Sequence, residues 1–406
     1  MLIAILLVLI YLAFISMGLP DSLLGSSWPA IYRQLEIPVA YAGVLSMIIS
    51  VGTILSSFFS DRLIRRMGTG ILTAVSVCIT AVALLGFSFS GCFWKLCLWA
   101  VPLGLGAGSV DAALNNFVAL HYKAKHMNWL HCFWGIGATA GPVILSFWLA
   151  RGESWCMGYR AVGSVQLVLG ILLLFSLPLW KKAEDEWSEE ETLETTEGLE
   201  CSVQEQRKEE LHLRIIFSLP GVKAVLVAFF CYYAVEMTIG LWSSSYLVLC
   251  RGVSPAAAAS LVSLYYVGIT LGRLMAGFLS DRFSEKWMIR LGQVILAAGV
   301  LFAAFAEKEL LLQVAFLVMG AGCAPIYPGL LHETPRNFGK RYCQTIMGIQ
   351  MSAAYVGTTC MPPLFGILAG RSGYRIFPFY VAGLLCLMVL MIEKVNQSVA
   401  AQGNEN

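Results

Sequence analysis

Long apolar runs alternate with short polar breaks along this chain. Twelve runs stand out, at about 2–28, 40–60, 69–89, 92–119, 129–150, 160–180, 221–249, 256–280, 288–306, 309–331, 343–368 and 374–393. Each is close to the ~20 residues an α-helix needs to cross roughly 30 Å of hydrocarbon. The runs are continuous, whereas the strands of a membrane barrel alternate with a period of two. The pattern predicts an all-α membrane protein with twelve transmembrane helices. The first run contains no Lys or Arg, since the first basic residue is Arg33. It is also too long for the apolar core of a signal peptide, so it reads as a membrane helix.

The polar breaks carry a repeat. The second run ends in SFFSDRLIRR (Ser57–Arg66) and the eighth in GFLSDRFSEK (Gly277–Lys286), 220 residues later. An Asp-Arg pair cannot sit in hydrocarbon, so both copies mark a membrane exit. Gly106-Ala107-Gly108 returns as Gly320-Ala321-Gly322, and Gly137, Thr139 and Pro142 return as Gly357, Thr359 and Pro362. Landmarks repeated in the same order indicate two six-helix pseudo-repeats.

Composition agrees with the pattern: 58% of the 406 residues are hydrophobic and 13% charged, against roughly 25% charged in soluble domains. The formal net charge of +2 hides a segregation. Residues 181–210 hold twelve acidic and four basic residues, leaving a balance of +10 on the rest. The acidic stretch lacks apolar periodicity and reads as a solvated linker. The expected organisation is a six-helix bundle over 1–180, a cytoplasmic acidic linker over 181–214, a second bundle over 215–396 and a cytoplasmic tail over 397–406. With the N-terminus inside, the inner short loops carry eleven Lys or Arg and the outer loops eight; the linker and its flanks add six to the inner side. Positive residues favour the cytoplasm, so both termini are expected there, with the chain in the plasma membrane. The twelve Cys are scattered, with no Cys-x-x-Cys pattern, and read as small buried hydrophobes.

Twelve helices in two halves, with a charged turn after the second and eighth, resemble the major facilitator superfamily. The signature turn of that family is Gly-x-Leu-x-Asp-Arg-x-Gly-Arg-Arg/Lys. Gly277, Leu279, Asp281 and Arg282 keep it in the second copy; Asp61, Arg62, Arg65 and Arg66 keep it in the first, which departs at Ser57, Phe59 and Ile64. Four stretches are similar to the fucose-permease branch and its glucose-transporter relatives: Gly18–Ile31, Asp111–Asn116, His131–Pro142 and Tyr232–Leu247. The resemblance implies a major facilitator fold, an acid on the first helix (Asp21), another on the fourth (Asp111) and an Asn four residues on (Asn115). It also implies that Asp61, Arg62, Arg65, Asp281 and Arg282 form a gate.

Charges inside spans cost about 2.5–3.5 kcal/mol each on insertion scales, and usually face a cavity or partner. Asp111 shares a helical stripe with Gly104, Gly108 and Asn115. Close packing through the glycines with Asp111 bonded to a neighbour is one reading; a proton site on a cavity wall is the other. Asp21 follows Pro20 and either sits near the outer interface or faces the cavity. Glu236, mid-way along the seventh helix, must be neutral, paired or hydrated. Arg273 lies two turns into the eighth helix and has a carboxylate partner, a gating role or a path to the interface open to it. Asn115, Asn116, His131, Trp134, Tyr232, Trp242 and Gln350 are the candidate solute contacts, because rings present flat apolar faces and amides both donate and accept.

These expectations describe a secondary transporter for a small polar, sugar-like solute, working by alternating access with proton symport at Asp21, Asp111 or Glu236. A sodium-coupled sugar carrier and an efflux carrier of the same fold remain open. A membrane-embedded enzyme is the rival from another class, but no His-Glu-x-x-His, Gly-x-Ser-x-Gly or P-loop motif is present, so no enzyme activity is expected. No cofactor, metal or nucleic-acid partner is expected; the partners are the solute, a proton or Na⁺, and the lipid bilayer.

Overall fold

The computed structural model describes residues 2–122, 124–182, 213–280 and 282–403. Nearly all of the predicted linker, 183–212, and the predicted gate residue Asp281 lie outside the described residues. Among the described residues, twelve helices are long and apolar enough to cross a membrane: Ile5–Gln34, Tyr41–Met67, Thr69–Ser88, Phe93–Val118, Trp129–Ala150, Trp155–Phe175, Val222–Cys250, Pro255–Leu279, Glu285–Phe305, Glu309–Phe338, Thr345–Ser372 and Tyr374–Ala401. They are called the first to twelfth spans below.

Each predicted run has its helix, and the shifted ends have local causes. The sixth span begins at Trp155 rather than 160, because the Ser154 side chain caps it by accepting from the Cys156 N–H. Ser254 and Ser284 cap the eighth and ninth spans in the same way. In the twelfth span the charged pair Glu393-Lys394 ends the apolar run but not the helix, which continues to Gly403. Glu393 forms a two-pronged ion pair with Arg290 of the ninth span, both bonds 2.7 Å long.

Two spans are broken beside the candidate site. The first span is a helix to Asp21 and a second helix from Leu23. Pro20 has no N–H to offer the Ser16 carbonyl, and the Gln166 side-chain amide of the sixth span donates to that carbonyl instead. The tenth span breaks at Ala324-Pro325, between helices Glu309–Cys323 and Ile326–Phe338.

The spans pack as two six-helix halves with matching partners. The first lies on the fifth and the second on the fourth; the seventh lies on the eleventh and the eighth on the tenth. Glycines make both sets of contacts possible. A Cβ on Gly137 would overlap the Ile15 carbonyl oxygen, and one on Gly357 would overlap that of Phe230. The second set shifts a sequence pairing by two residues. Gly104 sits on the Ile49 carbonyl as Gly320 sits on that of Tyr265, so packing matches Gly104, not Gly106, with Gly320.

Between the halves, the fifth span faces the eighth, the second faces the eleventh, and the later part of the first faces the seventh. The described contacts are tightest on the side away from the chain ends, here called the far side. There the Ser244 hydroxyl donates to the Ser26 carbonyl at 3.1 Å, the Ser146 hydroxyl to the Ala256 carbonyl at 2.8 Å, and Gly43 lies against Pro363. Towards the near side the second and eighth spans are exposed, including Phe58, Phe59, Met275 and Phe278.

Candidate functional site

Asp21 stands at the break in the first span, the exposed residue in a stretch where Leu19, Ser22, Leu23 and Leu24 are buried. Its surroundings are protein rather than lipid: Oδ2 accepts the Trp134 indole N–H at 2.8 Å. The carboxylate therefore opens onto water-accessible space inside the bundle. The Arg273 guanidinium lies over the Trp134 ring, 5.2 Å from its centroid. Arg273 Nη2 is in turn 3.6 Å from Glu236 Oε1, with both side chains largely buried. Asp21, Trp134, Arg273 and Glu236 thus form one chain of contacts through the first, fifth, eighth and seventh spans. Two members come from each half.

The other predicted acid lies close by. Asp111 Oδ1 accepts from the Asn115 amide at 2.7 Å, one turn along the fourth span. This bond fixes the Asn115 amide. Asp21 is within electrostatic reach of both Asp111 and Glu236. Three carboxylates and one guanidinium therefore share the space between the halves. Glu236, at the midpoint of Val222–Cys250, is compensated by Arg273; among the described residues the donors to Asp21 and Asp111 are the neutral Trp134 and Asn115. Such groups are costly in a membrane and are tolerated where water or a solute reaches them.

Aromatic rings make up much of the remaining wall. Tyr232 stacks on Tyr327 at 6.0 Å between centroids, and Tyr233 meets Tyr327 edge-on at 5.6 Å. Tyr266 meets Trp134 edge-on at 6.4 Å. Tyr327 and Tyr355 are within electrostatic reach of Asp111. Sequence reasoning passed over Tyr327, Tyr355 and Tyr266. The signal for Tyr327 was Pro325, whose helix break turns the following residues.

The remaining candidates are dispersed. His131 is half-buried, edge-on to Phe14 at 6.0 Å and within electrostatic reach of Arg273. Asn116 is exposed, rotated away from the Asp111–Asn115 face. Tyr232 is buried, and its hydroxyl lies against the Glu236 carboxylate and the Arg273 guanidinium. Trp242 is fully buried and donates its indole N–H to the Pro362 carbonyl at 2.8 Å, against Phe365 and Tyr374. Gln350 is fully buried and exchanges hydrogen bonds with the Thr334 hydroxyl at 3.0 and 3.2 Å, inside the second half. Asp61, Arg62, Arg65 and Arg282 are exposed at the near-side ends of the second and eighth spans. Asp61 forms no ion pair with a described residue, and Arg62 lies over the Phe59 ring.

Comparison with known proteins bears on this arrangement. A family model described as Major Facilitator Superfamily matches residues 10–249 and 245–393. Bypass of stop codon protein 6 from Saccharomyces cerevisiae is 22% identical over 93% of this chain and 79% of its own. The glucose/mannose transporter GlcP of Bacillus subtilis is 20% identical over 78% of this chain and 77% of its own. Among solved structures, a D-xylose-proton symporter shares the fold with a TM-score of 0.70, at 14% identity over 96% of this chain and 97% of that one.

Proposed function

The chain belongs to the major facilitator superfamily and is a membrane transporter, not an enzyme; on that premise we propose that it carries a small, sugar-like solute by alternating access, in symport with protons. The observation that carries this reading is the position of Asp21 and Asp111. Both are carboxylates without a cationic partner among the described residues, in a water-accessible space between two halves. A group so placed can load a proton when the space opens to one side and release it to the other. The driving force would be the proton gradient plus about 2.3 kcal/mol per elementary charge per 100 mV.

Asp111 is the proposed principal proton site, with Asp21 and Glu236 as its alternates. The solute would lie against Trp134, Tyr327 and Tyr233, with the Asn115 amide in reach. A pyranose offers one apolar face to a ring and a rim of hydroxyls to amides and carboxylates, which is the chemistry these side chains supply. On this reading the tight far-side contacts and the exposed near-side spans would belong to a state open to the near side. Asp61, Arg62, Arg65, Asp281 and Arg282 would form the gate that closes it, in a plasma membrane with the near side cytoplasmic.

Purified protein in proteoliposomes tests the reading. Saturable counterflow of glucose or mannose, and accumulation of either under an acid-outside gradient without Na⁺, are the expected results. Accumulation that follows a Na⁺ gradient instead would replace the proton with sodium. Absence of counterflow for every neutral pyranose tried would remove the sugar.

A further inference from the structure

Trp134 touches a charged group of each half. Its indole N–H donates to Asp21 at 2.8 Å, and its ring face carries Arg273 at 5.2 Å. An indole has one donor and no acceptor, so its edge is fully used by Asp21 and its face is left to Arg273. Arg273 itself is shared: its 3.6 Å approach to Glu236 is a single, long contact rather than the two-pronged pair that Arg290 makes with Glu393.

We infer that Trp134 is a positioning residue through which the charge on Asp21, in one half, sets how Arg273 divides between Trp134 and Glu236 in the other. The physical basis is polarisation. A carboxylate accepting from the indole N–H pushes electron density onto the ring, which strengthens the attraction of its face for a cation. When Asp21 is neutral the hydrogen bond weakens, the ring face holds Arg273 less strongly, and Arg273 closes on Glu236. The contact between the fifth and eighth spans, which is part of the interface between halves, then loosens. The titratable groups facing Asp21 are Asp111 of the fourth span, Glu236 of the seventh and Tyr266 of the eighth. Trp134 links Asp21 to Arg273, while Tyr266 is within electrostatic reach of both Asp21 and Glu236.

The inference rests on the proton-symport reading, and the experiment separates the two. Trp134→Phe keeps an aromatic face for Arg273 but removes the N–H. Uptake of radiolabelled glucose, mannose and fucose is measured in proteoliposomes across pH, for the parent, Trp134→Phe, Asp21→Asn and the double variant. The expected result is that Trp134→Phe lowers the ratio of gradient-driven accumulation to counterflow by an order of magnitude and displaces its pH profile. In the Asp21→Asn background the same substitution should add no further displacement. A variant that raises KM alone, with an unmoved pH profile, would leave Trp134 a solute contact with no positioning role and overturn the inference. An equal displacement in both backgrounds would also overturn it. If Trp134→Phe does not insert, Arg273→Lys probes the other arm. Lysine keeps the charge but lacks the planar face that stacks on indole, so the same fall in the ratio is expected, and an unchanged ratio overturns the inference. A parent for which an acid-outside gradient accumulates none of the three sugars overturns the sugar–proton reading and this inference with it. A coupled parent with an unaffected Trp134→Phe overturns the inference alone.

Discussion

Glu236 Oε1 and Arg273 Nη2 approach to 3.6 Å between the seventh and eighth spans, with side chains only 9% and 15% exposed. Both charges are enclosed, so each needs the other more than a surface pair would. Removing one partner strands the second in a medium of low dielectric. Glu236→Gln is therefore expected to destabilise the folded protein by about 3 kcal/mol, read as a lower thermal unfolding midpoint in detergent. The Glu236→Gln, Arg273→Gln double variant should cost less than the sum of the two single changes; strict additivity would show that the pair is not coupled.

Helix contacts through glycine make a second expectation. Gly137→Ala and Gly357→Ala each place a methyl group on a backbone carbonyl, which cannot move without its helix. Overpacking of this kind typically costs about 1–3 kcal/mol. Gly348→Ala, where nothing lies within 4 Å, should be neutral or slightly stabilising. Equal midpoints for all three variants would contradict the packing argument.

The far-side seal can be tested covalently. Ser146 and Ala256 meet at 2.8 Å through a hydrogen bond between halves. Cysteines at both positions, joined by a short bifunctional thiol reagent in a background without other reactive cysteines, should stop transport. If the joined protein still transports at the parent rate, the halves do not separate there.

Asp111→Asn gives the expected signature of a proton site. It substitutes a neutral amide for a carboxylate held by Asn115. Accumulation under an acid-outside gradient should fall by an order of magnitude more than counterflow does. Near-parent accumulation, with loss instead in Asp21→Asn or Glu236→Gln, would move the proton to that residue.

Much of this molecule is determined by its sequence alone. The twelve spans follow from apolar run length, because every backbone polar group in hydrocarbon must be satisfied within its own helix. The two halves follow from repeated glycines and Asp-Arg turns. Mid-span charges such as Asp21, Asp111, Glu236 and Arg273 announce themselves because hydrocarbon makes them costly. What joins these residues was decided by tertiary structure. Gln350 and Trp242 have the chemistry of solute contacts, yet Thr334 and the Pro362 carbonyl take their hydrogen bonds. Tyr327 looks like one aromatic among many until the Pro325 break sets it against Tyr232 and Tyr233. The partnership of Asp21 with Glu236 through Trp134 and Arg273 joins residues more than 200 positions apart. Local pattern carries the cost of burying a group, whereas the identity of its partner depends on which helix faces meet, and that is set by packing between spans.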